Sequence, residues 1–244
     1  MCKYDVKIPL DRKYINIFVS AIESADYLYR NYMLEEEFPT DNGSEGAKWN
    51  YINKLVKTGL SEDRFQIEVL YRGPWKFLGI YDRKTKYFYT LMREKNLNML
   101  RRNAMCKLFH YTNALSKLND RLKNGYTVEN EQLCLFPGMM YDEEGEELLE
   151  KILNTLIKKI DGTIKCYVLI AFDISHGQVT NIKGVVPSIG MNYFKEEDWT
   201  DFLSATYSED DKGGEEEASE DIILLERRPK LERRKKMDEK REEK

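Results

Sequence analysis

Apolar residues recur at helical spacing over the first part of the chain. Ile15, Phe18, Val19, Ile22 and Tyr29 fall on one stripe and predict a helix over 11–34, with Asp11 as its cap. The Glu35-Glu36-Glu37 run, Pro39, Asn42 and Gly43 end it. A second, short helix is predicted around Trp49, Ile52, Leu55 and Val56, stopping near Gly59. The period then changes. Phe65, Ile67, Val69 and Tyr71 alternate with Gln66, Glu68 and Arg72, and Gly73-Pro74 breaks the run. Trp75, Phe77, Gly79 and Tyr81 resume the alternation, Asp82 to Thr85 form a turn, and Tyr87, Tyr89 and Leu91 follow. This predicts an antiparallel meander over 64–92. Leu70, Leu78, Ile80 and Phe88 occupy the other phase, so both faces of the sheet are expected to be covered.

Helical spacing returns over 93–123, broken near Asn103 to His110. Asn124-Gly125 and Pro137-Gly138 bracket a loop over 124–141. The helix predicted at 142–160 buries Leu148, Leu149, Ile152, Leu153, Leu156, Ile157 and Ile160, and its acidic first turns suit the positive end of the helix dipole. The unbroken apolar run Tyr167 to Phe172 reads as a central strand, and Val179 to Val186 as its hairpin partner. A last short helix is predicted to hold Trp199 and Phe202.

Two helices, three strands, three helices, two strands and a helical end make a single α+β domain. Its mainly antiparallel sheet is expected to hold about five strands, the meander plus the later hairpin. The globular domain is placed at 1–207. Residues 208–244 form a charged tail, an acidic block from Glu209 to Asp221 followed by a basic block from Arg227 to Lys236. With so few apolar residues the tail is expected to be disordered or a lone helix.

Composition narrows the function classes. The formal net charge of −4 gives no global pull toward DNA, so only a local patch can supply one. Cys2, Cys106, Cys134 and Cys166 form no CxxC pair, and with His110 and His176 they make no zinc spacing. No metal or cofactor is therefore expected, and a reducing cytoplasm is the natural compartment. The N-terminal apolar residues are interleaved with polar ones, which speaks against a signal peptide or membrane helix there.

Several groups can carry chemistry. The Arg72-Gly73-Pro74-Trp75 corner offers a cation beside a stacking ring for nucleic acid, or a plain strand turn with Trp75 in the core. Glu68, Asp82, Glu94 and Lys95 lie in or near the meander, where restriction-type nucleases hold a metal with an acid and a Glu-x-Lys pair. No Glu-x-Lys pair lies within these strands, so solvated turn and cap residues are the expectation. Asp173 and His176 flank a strand end and can serve acid–base chemistry, but no nucleophile motif, P-loop or dinucleotide fingerprint accompanies them. Arg227, Arg228, Arg233 and Arg234 can touch nucleic acid or an acidic partner.

Gln132-Leu133-Cys134-Leu135-Phe136 resembles the short motif by which bacterial polymerases and repair proteins dock on the DNA sliding clamp. The resemblance implies that Leu135 and Phe136 enter an apolar pocket, Gln132 hydrogen-bonds at its mouth and Leu133 adds contact. The same residues can instead pin a loop to the core. The body, about 45–205, is similar to an uncharacterised family of bacterial proteins, mostly Gram-positive. The likeness rests on Arg72-Gly73-Pro74-Trp75, on Tyr87 to Lys95, on His110-Tyr111 and on the later Leu-Phe loop. That family brings no activity with it. The expectation is a non-catalytic adaptor on the clamp, acting in replication or repair. A metal-dependent nuclease and a nucleic-acid- or protein-binding module are the alternatives.

Overall fold

The computed structural model describes residues 7–103, 109–125 and 143–203. All of them fall in one compact unit, Met1–Leu203. The charged tail assigned to 208–244 and the pentapeptide at 132–136 lie outside the described residues.

The chain opens with α1 (Arg12–Glu35) and α2 (Ser44–Gly59), followed by β1 (Phe65–Arg72), β2 (Trp75–Asp82) and β3 (Tyr87–Arg93). Next come α3 (Glu94–Arg102), α4 (Tyr111–Ser116), a 3-10 helix (Lys117–Gly125) and α5 (Glu143–Ile157). β4 (Cys166–Ser175), β5 (Gln178–Pro187) and β6 (Tyr193–Asp198) complete the described elements. The strands form one six-stranded sheet in the order β1-β2-β3-β4-β5-β6. Every neighbouring pair is antiparallel except β3 and β4, which run parallel from Tyr87↔Cys166 to Arg93↔Phe172. The fold is α+β, as the pattern predicts, with one strand more than expected.

Parallel neighbours need a long crossover, because the chain must return to the starting end of the sheet. Residues 94–165 make that return and carry α3, α4 and α5. Side chains alternate between faces along each strand. On one face Leu78, Ile80, Tyr89, Leu91, Val168, Ile170 and Ile182 pack with Ile15, Phe18, Ile22, Ile52 and Val56 of α1 and α2. On the other, Phe77, Tyr81, Phe88, Met92, Tyr167, Leu169 and Val185 pack with Leu97, Leu115, Leu149 and Leu153 of the crossover. The sheet is thus buried on both sides, which is why β4 reads as an unbroken apolar run.

Three details depart from the pattern. Asp11 flanks α1 but makes no capping bond; its carboxylate instead accepts from Arg64 Nη1 at 3.1 Å. Where a helix was expected at the end, β6 intervenes, and helical backbone begins only at Asp201. β6 is an edge strand with one buried residue, Phe194, among Lys195, Glu196, Glu197 and Asp198, so no apolar alternation announces it. Trp199 is buried against Gly184 of β5, where a Cβ would collide with the indole ring. The third departure is Trp75, which is 39% exposed rather than in the core.

One buried side chain fastens the crossover to the sheet. Asn119, fully buried in the 3-10 helix, donates from Nδ2 to the carbonyls of Tyr167 and Pro187, each at 2.9 Å. Its Oδ1 accepts from Tyr167 N–H at 2.8 Å and from the Cys166 thiol at 3.3 Å. Burial pushes that thiol up to about 12, so it stays protonated and donates. The β4–β5 ladder ends at Leu169↔Val185, so Asn119 supplies the hydrogen bonds just beyond it. Asn119→Ala should lower the free energy of unfolding by about 3 kcal/mol, since several buried main-chain groups lose their partner at once. Urea unfolding followed by circular dichroism measures it.

Candidate functional site

Two of the segments singled out in the sequence meet in space. β1 and β2 pair from Phe65↔Asp82 to Arg72↔Trp75 across the two-residue turn Gly73-Pro74, and Gly73 takes φ +57. That left-handed value at the first turn residue favours glycine. The corner places Arg72 Nη1 2.6 Å from His110 Nε2 and its guanidinium 5.7 Å from the Tyr111 ring. His110 Nδ1 lies 2.9 Å from Thr112 Oγ1 and 3.3 Å from Thr112 N. The Arg72 contact needs the lone pair on Nε2, which leaves the Nδ1 proton for the threonine hydroxyl, whereas the cap bond from Thr112 N needs the lone pair on Nδ1; the two contacts call for opposite tautomers of the neutral ring. Tyr111 in turn packs on Phe77, with ring centroids 4.3 Å apart. Trp75 stands edge-on to Trp49 of α2 at 6.3 Å. These partners give Arg72 and Trp75 structural employment at the strand corner.

A second polar set lies where the parallel strands end. Glu94 begins α3 directly after β3; Asp173 sits near the end of β4; Asn181 and Lys183 share one face of β5. Lys183 Nζ ion-pairs with Glu94 and reaches Glu196 Oε2 at 3.5 Å, while Asn181 Nδ2 donates to Glu94 Oε2 at 3.0 Å. Burial, and then the Glu94 charge, raise the Asp173 carboxyl above the ordinary carboxylate range. Burial pulls Lys183 down, but Glu94 and Glu196 outweigh it and hold the ammonium above its usual value. A raised acid beside an ion pair suits proton transfer. Here, though, Glu94 is satisfied by Lys183 and Asn181, and the set closes on itself as a tie between α3 and the sheet. His176 is exposed in the β4–β5 turn at φ 52.

The carboxylates weighed as nuclease ligands do not converge. By the β2–β3 register Asp82 lies beside the first residue of β3, whereas Glu94 follows its last; seven residues separate them along the strand, or about 23 Å at roughly 3.3 Å per residue. Asp82 pairs with Phe65 and shares its face, whereas Glu68, three positions along β1, points to the other. Lys95 is exposed on α3. Among the described residues no group of three His, Cys, Asp or Glu is placed to hold a metal.

Asp82 is also not the solvated turn residue expected of it. It is fully buried and receives Arg64 through Nε (3.1 and 3.2 Å) and Nη2 (2.7 Å), with Lys84 N at 2.9 Å and Thr85 N at 3.3 Å. Burial alone would raise its pKa. The Arg64 guanidinium and the turn N–H groups prevail and hold the carboxyl below the usual range. Arg64 lies 4.5 Å from the Tyr14 ring centroid and also bonds Asp11, so one side chain joins α1, β1 and the β2–β3 turn. Sequence reasoning passed over Arg64, Asn119 and Lys183, because their partners are distant in the chain. A signal existed only for Asn181 and Lys183, whose spacing puts two polar groups on one strand face.

Gln132, Leu133, Leu135 and Phe136, and the tail arginines Arg227, Arg228, Arg233 and Arg234, all lie outside the described residues. No described helix is long and apolar enough to cross a membrane.

Fold and polar clusters together define an α+β protein with a mixed sheet covered on both faces by helices. The chain belongs to DUF5986, a family of unknown function, whose model matches residues 7–244. Searches of the curated proteins and of the solved structures found no match.

The pH dependence of the Asp82 pair follows from its sign. A carboxyl depressed in the folded state stabilises above the unfolded value, near pH 4, and loses that contribution as pH falls through the folded value. Asp82→Asn should cost about 3 kcal/mol at pH 7 by stripping Arg64 of its buried counter-charge. The difference from wild type should shrink as the pH falls below about 4. Urea unfolding at pH 7 and pH 3 measures both.

Proposed function

We propose that this protein is a non-catalytic cytoplasmic adaptor that docks on the bacterial DNA sliding clamp through Gln132, Leu133, Leu135 and Phe136. The observation that carries the reading is the pentapeptide itself. Assuming ordinary residue frequencies, its pattern should arise by chance in roughly one chain of this size in a few hundred. Its place in the chain fits, because it falls within the crossover between β3 and β4, between Gly125 and Glu143. Glu129 and Glu131 precede it and Pro137-Gly138 follow it, so polar and turn residues frame the apolar ones. Docking would recruit the protein to replication or repair.

The alternatives draw less support. A nuclease lacks converging carboxylates among Glu68, Asp82 and Glu94. A nucleic-acid contact by Arg72 and Trp75 competes with the partners these side chains already have in His110 and Trp49.

Leu135→Ala combined with Phe136→Ala should abolish capture by an immobilised clamp and leave the melting temperature within a few degrees of wild type. Clamp binding by surface plasmon resonance and a thermal melt on the same sample decide it. Undiminished clamp binding, or a collapse of the melting temperature, would refute docking by this peptide.

A further inference from the structure

The two edges of the sheet are built differently. Natural sheets guard their edges with charge, proline or bulges, because unpaired main-chain groups invite another strand. β6 follows this rule. It carries Lys195, Glu196, Glu197 and Asp198, and its ladder with β5 shifts register at Val186/Pro187. β1 is guarded less. Its sequence, Phe65 to Arg72, holds two charges of opposite sign, Glu68 and Arg72, but no proline; its ladder with β2 has no register shift, and among the described residues no strand pairs with its other side. Val69 is 40% and Tyr71 59% exposed along that edge.

In a two-residue hairpin the residues flanking the turn hydrogen-bond each other. Arg72, Leu70 and Glu68 therefore direct their main chain at β2, while Tyr71, Val69 and Ile67 direct theirs outward. We infer that β1 is a self-complementary interface at which a second copy of this chain adds antiparallel, joining two sheets into one. The register is set by charge. With Leu70 on the two-fold axis, Val69 faces Tyr71 of the second copy through main-chain hydrogen bonds, and Glu68 faces Arg72 of the second copy, each pair occurring twice. Opposite charges across strands attract and like charges repel. A shift toward the start of β1 that sets Val69 against Ile67 brings Glu68 against Glu68. A shift that sets Val69 against Val69 leaves Glu68 and Arg72 without opposite charges. Arg72 holds His110 through Nη1 alone, and a guanidinium has further donors. Gln66 lies outside the paired half of β1; it binds Lys159 and Asp161 and donates to Glu68 Oε1 at 3.2 Å, a bond that leaves the Glu68 charge in place.

Sedimentation velocity on the full chain over a wide concentration range tests the inference. A reversible monomer–dimer equilibrium is expected. Glu68→Arg and Arg72→Glu should each weaken it at least about tenfold, because each makes two like-charged pairs. An equimolar mixture of the two variants should associate as the wild type does, since every pair is again opposite in charge. Circular dichroism melts check that the variants fold. If either does not, Val69→Pro, which deletes an outward N–H, should abolish the dimer. A protein that stays monomeric throughout, a dimer indifferent to these substitutions, or a mixture that fails to associate would overturn the inference.

Discussion

The parallel pairing of β3 with β4 is the constraint from which the rest of the architecture follows. Without it the six strands would form a plain meander, joined by tight turns and needing no helices between them. With it, the chain between β3 and β4 must return across the sheet, and its described helices, α3, α4 and α5, pack on one face against Tyr167, Leu169 and Phe88. The opposite face is left to α1 and α2, the elements before the sheet. A strand buried on both sides cannot alternate apolar with polar, so the centre of the sheet is apolar apart from hydroxyls that pair with each other, as Thr90 does with Tyr167, and the charged groups lie toward strand ends.

Those ends explain where the charged chemistry gathers. At the start of β3, Arg64 and Asp82 fix the β2–β3 turn to α1; beyond its end, Glu94, Asn181 and Lys183 fix α3 to β5. Each cluster sits where the chain leaves the sheet and must be aimed. Burying an ion pair brings little net stability compared with packing hydrocarbons, but removing one partner is expensive. Such pairs therefore act more on which arrangement the chain adopts than on how firmly it holds. Asn119 does similar work with neutral groups, satisfying main-chain atoms just beyond the β4–β5 ladder.

Period alone made most of the fold legible. The stripe Ile15, Phe18, Val19, Ile22 gave α1, the alternation from Phe65 to Leu91 gave the meander, and Tyr167 to Phe172 gave the central strand. β6 stayed hidden because an edge strand with a single buried residue has no period to read. The direction of β4 stayed hidden too, since a hydrophobic run says that a strand is central and not which way its neighbour runs. Of the candidate site residues, Arg72 and His110 were each visible as motif fragments, but their contact spans 38 positions and no local pattern encodes it. Asp82 was legible as a turn residue. Its burial was not, because that depends on Arg64 arriving from the other end of the hairpin.

A short docking peptide and an open sheet edge are related in physical kind. As proposed, each would offer a few strong groups to its partner, and each would have to offset the entropy of ordering its own stretch on binding. One peptide of five residues binds modestly for that reason. A dimer joined through β1 would carry two such peptides, and once the first had bound, the second would meet its target at the effective concentration set by the tether between them. Affinity would then depend on whether both sites can be reached at once. The edge strand would set valency while the pentapeptide set the choice of partner, so the two features can act together although neither requires the other.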